Sequence, residues 1–519
     1  MTVLDWCLVI AGLLVTLWWT FARSRAPAAL TLASLGVLLL AAVTLAVEGS
    51  QWQLVPWEVL GLVVAALAVI NRRRLGLAGR RSGRRGAGHG AGRRYPSVFL
   101  DSRTGSATAA GLAGRAHGGR ARGEAARWWR GTAERGIPLA VVLLGGWALL
   151  WPLTPTLPTP AGPYRVGTEV FHWTDTSRRQ PWGPHTSEYR QVVAQAWYPT
   201  SATHGRMAPY FEAPGELPGM GGLPRFVFSG AFRDTATHGI IGAPVSLARR
   251  TWPVLLFSPG LALPREIYTG LCTEMASRGY VVLALSSPYE SAVTELADGA
   301  VVESAFPSDA TETQLYELVK TRAADARFAL DQLERLSAVA PHSPLVDHLN
   351  LARVGIFGHS LGGASAIQTA IEDPRFRVAI DLDGTLWGAQ PSERLDQPFL
   401  WIASAERSSS EERHEREQFL SGLRAGGTLV KITHSLHLSF TDEPNYLTSL
   451  GRTLWGGRGR MGRRSVDTMA TLTTDLIAAF AGPELGVRGG PTVSQVLAAH
   501  GGALDLERQV APGSQAPGS

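Results

Sequence analysis

The run Val354-Gly355-Ile356-Phe357-Gly358-His359-Ser360-Leu361-Gly362-Gly363 constrains the fold more than any other stretch of the chain. An apolar β-branched segment leads into it, and a small-residue helical run, Ala364 to Glu372, leads out. The pattern predicts a buried strand, a sharp turn with a serine at its tip, and a helix: the G-x-S-x-G nucleophile elbow. Glycine on either side of the serine avoids the clashes that side chains make in so tight a turn. The helix that follows points its positive end at any oxyanion formed there. With 58 Gly in 519 residues a lone G-x-S-x-G is close to a chance expectation, so the flanking strand and helix carry the weight.

Short apolar runs alternate with helical stretches from 162 to 483. Val254 to Phe257, Val281 to Leu285, Arg353 to Phe357, Val378 to Leu382, Phe399 to Ala403 and Thr428 to Ile432 read as strands. Ile267 to Arg278 and Thr311 to Leu336 have helical spacing. Such alternation predicts parallel βαβ units in a single α/β domain, a mostly parallel sheet flanked by helices. Glu169 to Trp173 and Gln191 to Tyr198 read as antiparallel strands at its edge. Residues 484–519, rich in Gly, Ala and Pro, read as a C-terminal tail, disordered from Pro512 to Ser519.

A serine hydroxyl needs a base within hydrogen-bond reach and a carboxylate that orients the base. In this kind of fold the chain order is Ser, then Asp or Glu, then His. Three acids follow Ser360 at strand ends: Asp381, Asp383 and Glu406. Asp383 stands at its strand end before Gly384, whereas Asp381 falls within the strand. His434 and His437 both follow the strand Thr428 to Ile432, and spacing favours His437 only mildly. His359 adjoins Ser360 but faces the other side of the turn, which suits packing or hydrogen bonding. An oxyanion hole needs two backbone N–H groups. Leu361 supplies one, and the loop Phe257-Ser258-Pro259-Gly260-Leu261 supplies the other at Leu261, since Pro259 has no N–H.

The 45% hydrophobic content against 18% charged is high for a soluble chain, and the excess is local. Residues 3–22, 28–47 and 54–70 form three apolar runs and 137–153 a fourth. Each has about the 17–25 residues that cross a hydrocarbon core as a helix. Trp6, Trp18, Trp19, Trp52, Trp57, Trp147 and Trp151 lie near their ends, where amphipathic rings favour the interface. Three transmembrane helices are therefore expected in 1–70 and a fourth at 137–153. Residues 71–136 hold sixteen Arg against Asp101, Glu124 and Glu134, and read as a disordered cytoplasmic loop rather than a nucleic-acid site. With Arg23 and Arg25 on the same side, the N-terminus and everything after 154 fall outside the cytoplasm, at the plasma membrane. The Pro-rich run 154–161 reads as a stalk. Cys7 and Cys272 sit in different segments, so no disulfide is expected.

The set Gly162-Pro163-Tyr164-Arg165-Val166-Gly167, Trp197-Tyr198-Pro199, Phe257-Ser258-Pro259-Gly260-Leu261, the elbow at Ser360, Leu382-Asp383-Gly384 and His437-Leu438-Ser439-Phe440-Thr441-Asp442 resembles the platelet-activating-factor acetylhydrolase family of α/β-hydrolases. The resemblance runs over roughly 162–480. It implies a nucleophile at Ser360, an acid at Asp383 rather than Glu406, and a base at His437 rather than His434. It implies no metal and no cofactor. It also implies ester substrates, short or oxidised acyl chains of phospholipids or other small esters. Where the family often has Ser-His-Gly, this chain has Ser258-Pro259-Gly260. A carboxylesterase or polyester hydrolase, an acyltransferase on the same residues, and a non-catalytic scaffold are the rival readings.

Overall fold

Strands whose residues are apolar throughout must be covered on both faces. In a computed structural model of the chain, β4 (Trp252–Ser258), β5 (Val281–Ser286) and β10 (Phe399–Ala403) are buried at every position. Each fully buried Leu, Ile or Phe among them contributes about 1.5–3 kcal/mol. The structure describes residues 154–212, 232–233, 235–307, 309–387, 395–406, 408–448, 452 and 461–512, together with 10–15, 33, 36, 37 and 39.

The chain divides into Met1–Leu153 and Thr154–Ser519. In the first unit, the four apolar runs and the Arg-rich loop lie almost wholly outside the described residues. Among the described residues no helix is long and apolar enough to cross a membrane.

The second unit is built on a ten-stranded sheet. Besides β4, β5 and β10 it contains β1 (Arg165–Arg179), β2 (Tyr189–Thr200), β3 (Gly239–Ile241), β8 (Leu349–His359), β9 (Phe376–Leu382), β11 (Gly427–Ile432) and β12 (Leu504–Val510). Two short strands, β6 (Val293–Glu295) and β7 (Val301–Glu303), pair separately. The sheet order is β12-β11-β10-β9-β8-β4-β5-β2-β1-β3. The run β5-β4-β8-β9-β10-β11 is parallel throughout, and β2 joins β5 antiparallel. The mixed α/β architecture is that of an α/β-hydrolase.

Helices α1 (Thr269–Ser277), α2 (Glu312–Glu334), α3 (Leu361–Glu372), α4 (Ser410–Ser421), α5 (Val466–Leu485) and α6 (Val493–Ala499) connect or follow the strands. The α2 start is set by a capping box: Thr311 accepts from Gln314 N–H, and Gln314 caps Thr311 in return. Leu361 to Ala370 of α3 are all buried.

Two segments differ from their sequence reading. Residues 504–510 pair antiparallel with β11 from Gly427↔Val510 to Ile432↔Leu504, so the tail closes the sheet edge. Its pattern was unreadable because only Leu504 and Val510 of the strand are buried. The Pro-rich run lies against the domain instead of standing clear of it. Leu157 is 3% exposed, and Ala161 N–H donates to Glu274 Oε2 at 2.7 Å. Residues 513–519 lie outside the described residues.

Candidate active site

Strand β8 runs into α3 with a single residue between them, Ser360, at φ 56°, ψ −125°. A non-glycine residue there costs of order 1–3 kcal/mol and persists only where its surroundings over-determine it. Ser360 N–H donates to Leu382 O at 2.9 Å, and Gly363 N–H donates to Ser360 O at 2.9 Å. The flanking glycines are required by close approach. A Cβ on Gly358 would stand 2.1 Å from Gly362 O, and one on Gly362 would stand 2.0 Å from Ser258 O.

Strand β9 places Asp383 one residue past its end, at φ 55°. Its N–H donates to Ile402 O at 2.8 Å. Oδ1 accepts from Ser404 N–H at 2.6 Å, and Oδ2 lies 2.8 Å from His437 Nδ1. The other ring nitrogen, Nε2, lies 3.0 Å from Ser360 Oγ. Burial pushes the Asp383 carboxyl up, but the hydrogen bond and positive field of His437, with Ser404 N–H, outweigh it and hold it below the usual range. The arrangement can hold His437 with Nδ1 protonated and Nε2 free to take a proton from Ser360.

The other acids do different things. Asp381 is buried in β9, with Oδ1 accepting from Gly384 N–H at 2.6 Å and Oδ2 unpartnered among the described residues. Burial pushes its carboxyl well above the usual range. A Cβ on Gly363 would stand 2.2 Å from its Oδ1. Glu406 accepts from the backbone N–H of His437 at 3.3 Å, so it braces the loop carrying the base. Ligand atoms of Asp383, Glu406 and His437 lie within 4.8 Å of one another, a spacing a metal could bridge, but Asp383 and His437 are already bonded to each other. His434 is exposed, and its backbone O accepts from Arg463 N–H.

Of the oxyanion candidates, Leu361 follows the serine in the chain, and the Leu261 side chain packs against the cluster that includes Leu361. Among the described residues, no backbone acceptor is found outside helix and strand bonding for Leu261 N–H or Leu361 N–H. Leu261 and Leu361 adjoin a small apolar cluster with Leu315, Leu318, Trp182 and Phe306, the last two edge to face at 5.0 Å. A polar cavity of ≈ 570 Å³ touches Asp383 and His437 on the Glu406 side but does not reach Ser360.

Several side chains support these loops, and Arg322 and Tyr268 among them had no sequence signal. Arg322 Nη1 donates to Pro259 O at 2.6 Å and its Nε to the buried Glu290 at 3.2 Å, which ties the loop Phe257–Leu261 to α2. Tyr268 Oη accepts from Gly260 N–H at 3.1 Å. Asp442, five residues after His437, accepts from Gly270 N–H at the start of α1 at 3.2 Å. His359 is fully buried and hydrogen bonded on both ring nitrogens, as its position opposite Ser360 predicts.

Sheet order, elbow and the hydrogen-bonded Ser360–His437–Asp383 chain together define an α/β-hydrolase. The ferulic acid esterase of Streptomyces cinnamoneus superposes with a TM-score of 0.58 at 27% identity, covering 68% of this chain and 99% of that one. Residues 156–474 match the platelet-activating factor acetylhydrolase, isoform II, family, and the chain belongs to it. A probable 1-alkyl-2-acetylglycerophosphocholine esterase of Arthroderma benhamiae is 25% identical over 264 residues, 47% of this chain and 64% of the relative. The platelet-activating factor acetylhydrolase of Cavia porcellus is 29% identical over 213 residues, 37% of this chain and 48% of the relative. The chain thus spans between about half and two thirds of the length of these relatives.

Proposed function

We propose that the chain is a serine ester hydrolase acting through an acyl-enzyme. Ser360 Oγ attacks the ester carbonyl as His437 Nε2 takes its proton, with Asp383 holding the imidazolium. Leu261 and Leu361 N–H groups stabilise the tetrahedral oxyanion. His437 then returns the proton to the departing alcohol. Water, deprotonated by His437, attacks the acyl-enzyme and releases the acid and Ser360. The observation that carries this reading is the 3.0 Å and 2.8 Å pair of hydrogen bonds on the two ring nitrogens of His437.

The names of the relatives favour a short acyl group on a glycerophospholipid. The structural neighbour favours a second reading, an ester of a small aromatic acid, which Trp182 and Phe306 beside Leu261 and Leu361 would accommodate. Hydrolysis of a chain-length series of aryl esters beside acetyl- and long-chain phospholipids tests both. Activity that falls steeply beyond short acyl chains supports the first. Preference for hydroxycinnamoyl esters over acetyl supports the second. A new ester product that persists in excess water would replace hydrolase by acyltransferase.

The membrane anchor belongs to the same proposal. Four apolar runs and the Arg-rich 71–136 segment favour a chain held in the membrane with residues 162–483 outside the cytoplasm. Protease added to intact cells is expected to cut the domain and spare the Arg-rich loop. The reverse pattern inverts the topology.

A further inference from the structure

His359 lies between the two loops that the reaction must keep in register. Its Nε2 is 2.9 Å from the backbone O of His437, and its Nδ1 is 2.8 Å from Tyr268 Oη. Tyr268 Oη is in turn 3.1 Å from Gly260 N, one residue before the proposed oxyanion donor. With a neutral His359 ring, donor and acceptor chemistry fixes each proton in this chain. A carbonyl only accepts, so His359 Nε2 carries the hydrogen. In the neutral ring Nδ1 then accepts, and Tyr268 supplies its O–H. The tyrosine oxygen still takes the Gly260 N–H. No member is left unsatisfied, and the His359 and Tyr268 side chains are fully buried, which shields their bond from competing water, while the His437 end is part-buried.

We propose that His359 is a positioning residue that links the oxyanion loop to the base through Tyr268. The inference rests on the hydrolase reading above. One end of the link holds Gly260, the residue before the proposed oxyanion donor Leu261. The other end holds the His437 backbone, and the two imidazole centroids lie 4.6 Å apart with the rings tilted by 39°. Gly260 is part of the device, because a Cβ there would stand 3.3 Å from His359 Nδ1 and 3.2 Å from Tyr268 Oη. Arg322 on Pro259 O holds the other side of the same loop. Asp442 N–H donates to Ile267 O at 2.6 Å, which ties the His437 loop to the turn that bears Tyr268.

The test uses the full chain, with p-nitrophenyl acetate and a fluorophosphonate as probes. Tyr268→Phe and His359→Gln are each expected to lower kcat roughly 10- to 100-fold with KM within about twofold, as misplaced catalytic groups do. Because both act through one chain of hydrogen bonds, the double variant should lose little more than the worse single variant. His359→Gln, which keeps an N–H for the His437 carbonyl, should retain more activity than His359→Ala. Multiplicative losses, a change in KM alone, or losses that only follow a fall in Tm overturn the proposal. Wild-type labelling at Ser360 with unchanged labelling rates in the variants sinks the link while sparing the hydrolase. Absence of wild-type labelling sinks the hydrolase reading first. The hydrogen-bond chain also has a readout independent of turnover. Imidazole ¹⁵N spectra should show His359 protonated at Nε2, and a neutral ring protonated at Nδ1 contradicts it.

Discussion

Asp383→Asn separates orientation from charge at the site. The backbone at φ 55° accepts asparagine readily, so the turn is not disturbed. The side chain is nonetheless forced into one rotamer. Ser404 N–H, 2.6 Å from Oδ1, demands an acceptor there, which turns the amide NH2 toward His437 Nδ1. An N–H facing Nδ1 obliges Nδ1 to accept, so the ring proton moves to Nε2. That nitrogen then donates to Ser360 Oγ and can no longer remove its proton. Loss of the base through the wrong tautomer costs about 10⁴ in kcat in serine hydrolases of this logic, or roughly 5.5 kcal/mol of barrier. The assay is kcat for a chromogenic acetate ester, with Tm as the control on folding. A folded variant that loses less than about tenfold refutes the reasoning. Glu406, which accepts from the His437 backbone N–H, would then be the next acid to remove.

Other outcomes follow from the same geometry. Gly362→Ala drives a methyl against Ser258 O and Pro259 O, where no side chain can yield, so the oxyanion loop must shift. Activity is expected to fall by about 10², and a near-wild-type kcat contradicts the packing. Burial pushes the Asp442 carboxyl up to about 8, against the lowering effect of its Gly270 and Tyr210 hydrogen bonds. The fold therefore holds a proton that the unfolded chain releases near pH 4, so this contribution is fully present at about pH 4 and is lost as pH rises through about 8. Asp442→Asn should flatten the fall of Tm between about pH 5 and 8, and an unchanged slope contradicts the assignment.

The elbow was legible because it compresses strand, turn and helix into ten consecutive residues with a local signature. The parallel strands were legible because burial on both faces makes continuous apolar runs. Choosing Asp383 and His437 needed family resemblance, since three acids and two histidines share the relevant strand ends. The geometry gives the unused candidates other tasks: Asp381 packs under the turn and Glu406 braces a backbone N–H. Strand β12 escaped notice because an edge strand is held mainly by backbone hydrogen bonds and buries few side chains. Tyr268 and Arg322 escaped because their partners are distant in sequence, and Asp442, though part of the His437 motif, showed no sign of its bond to Gly270. Tyr268 and His359 are 91 residues apart, and Arg322 and Pro259 are 63.

Fluorophosphonate labelling of the full chain tests the central claim most directly. Labelled wild type should carry the phosphonyl group on Ser360 when digested and analysed by mass spectrometry. Ser360→Ala should take up none, and His437→Ala should label far more slowly. Absence of labelling in the wild type, or equal labelling of Ser360→Ala, contradicts the account.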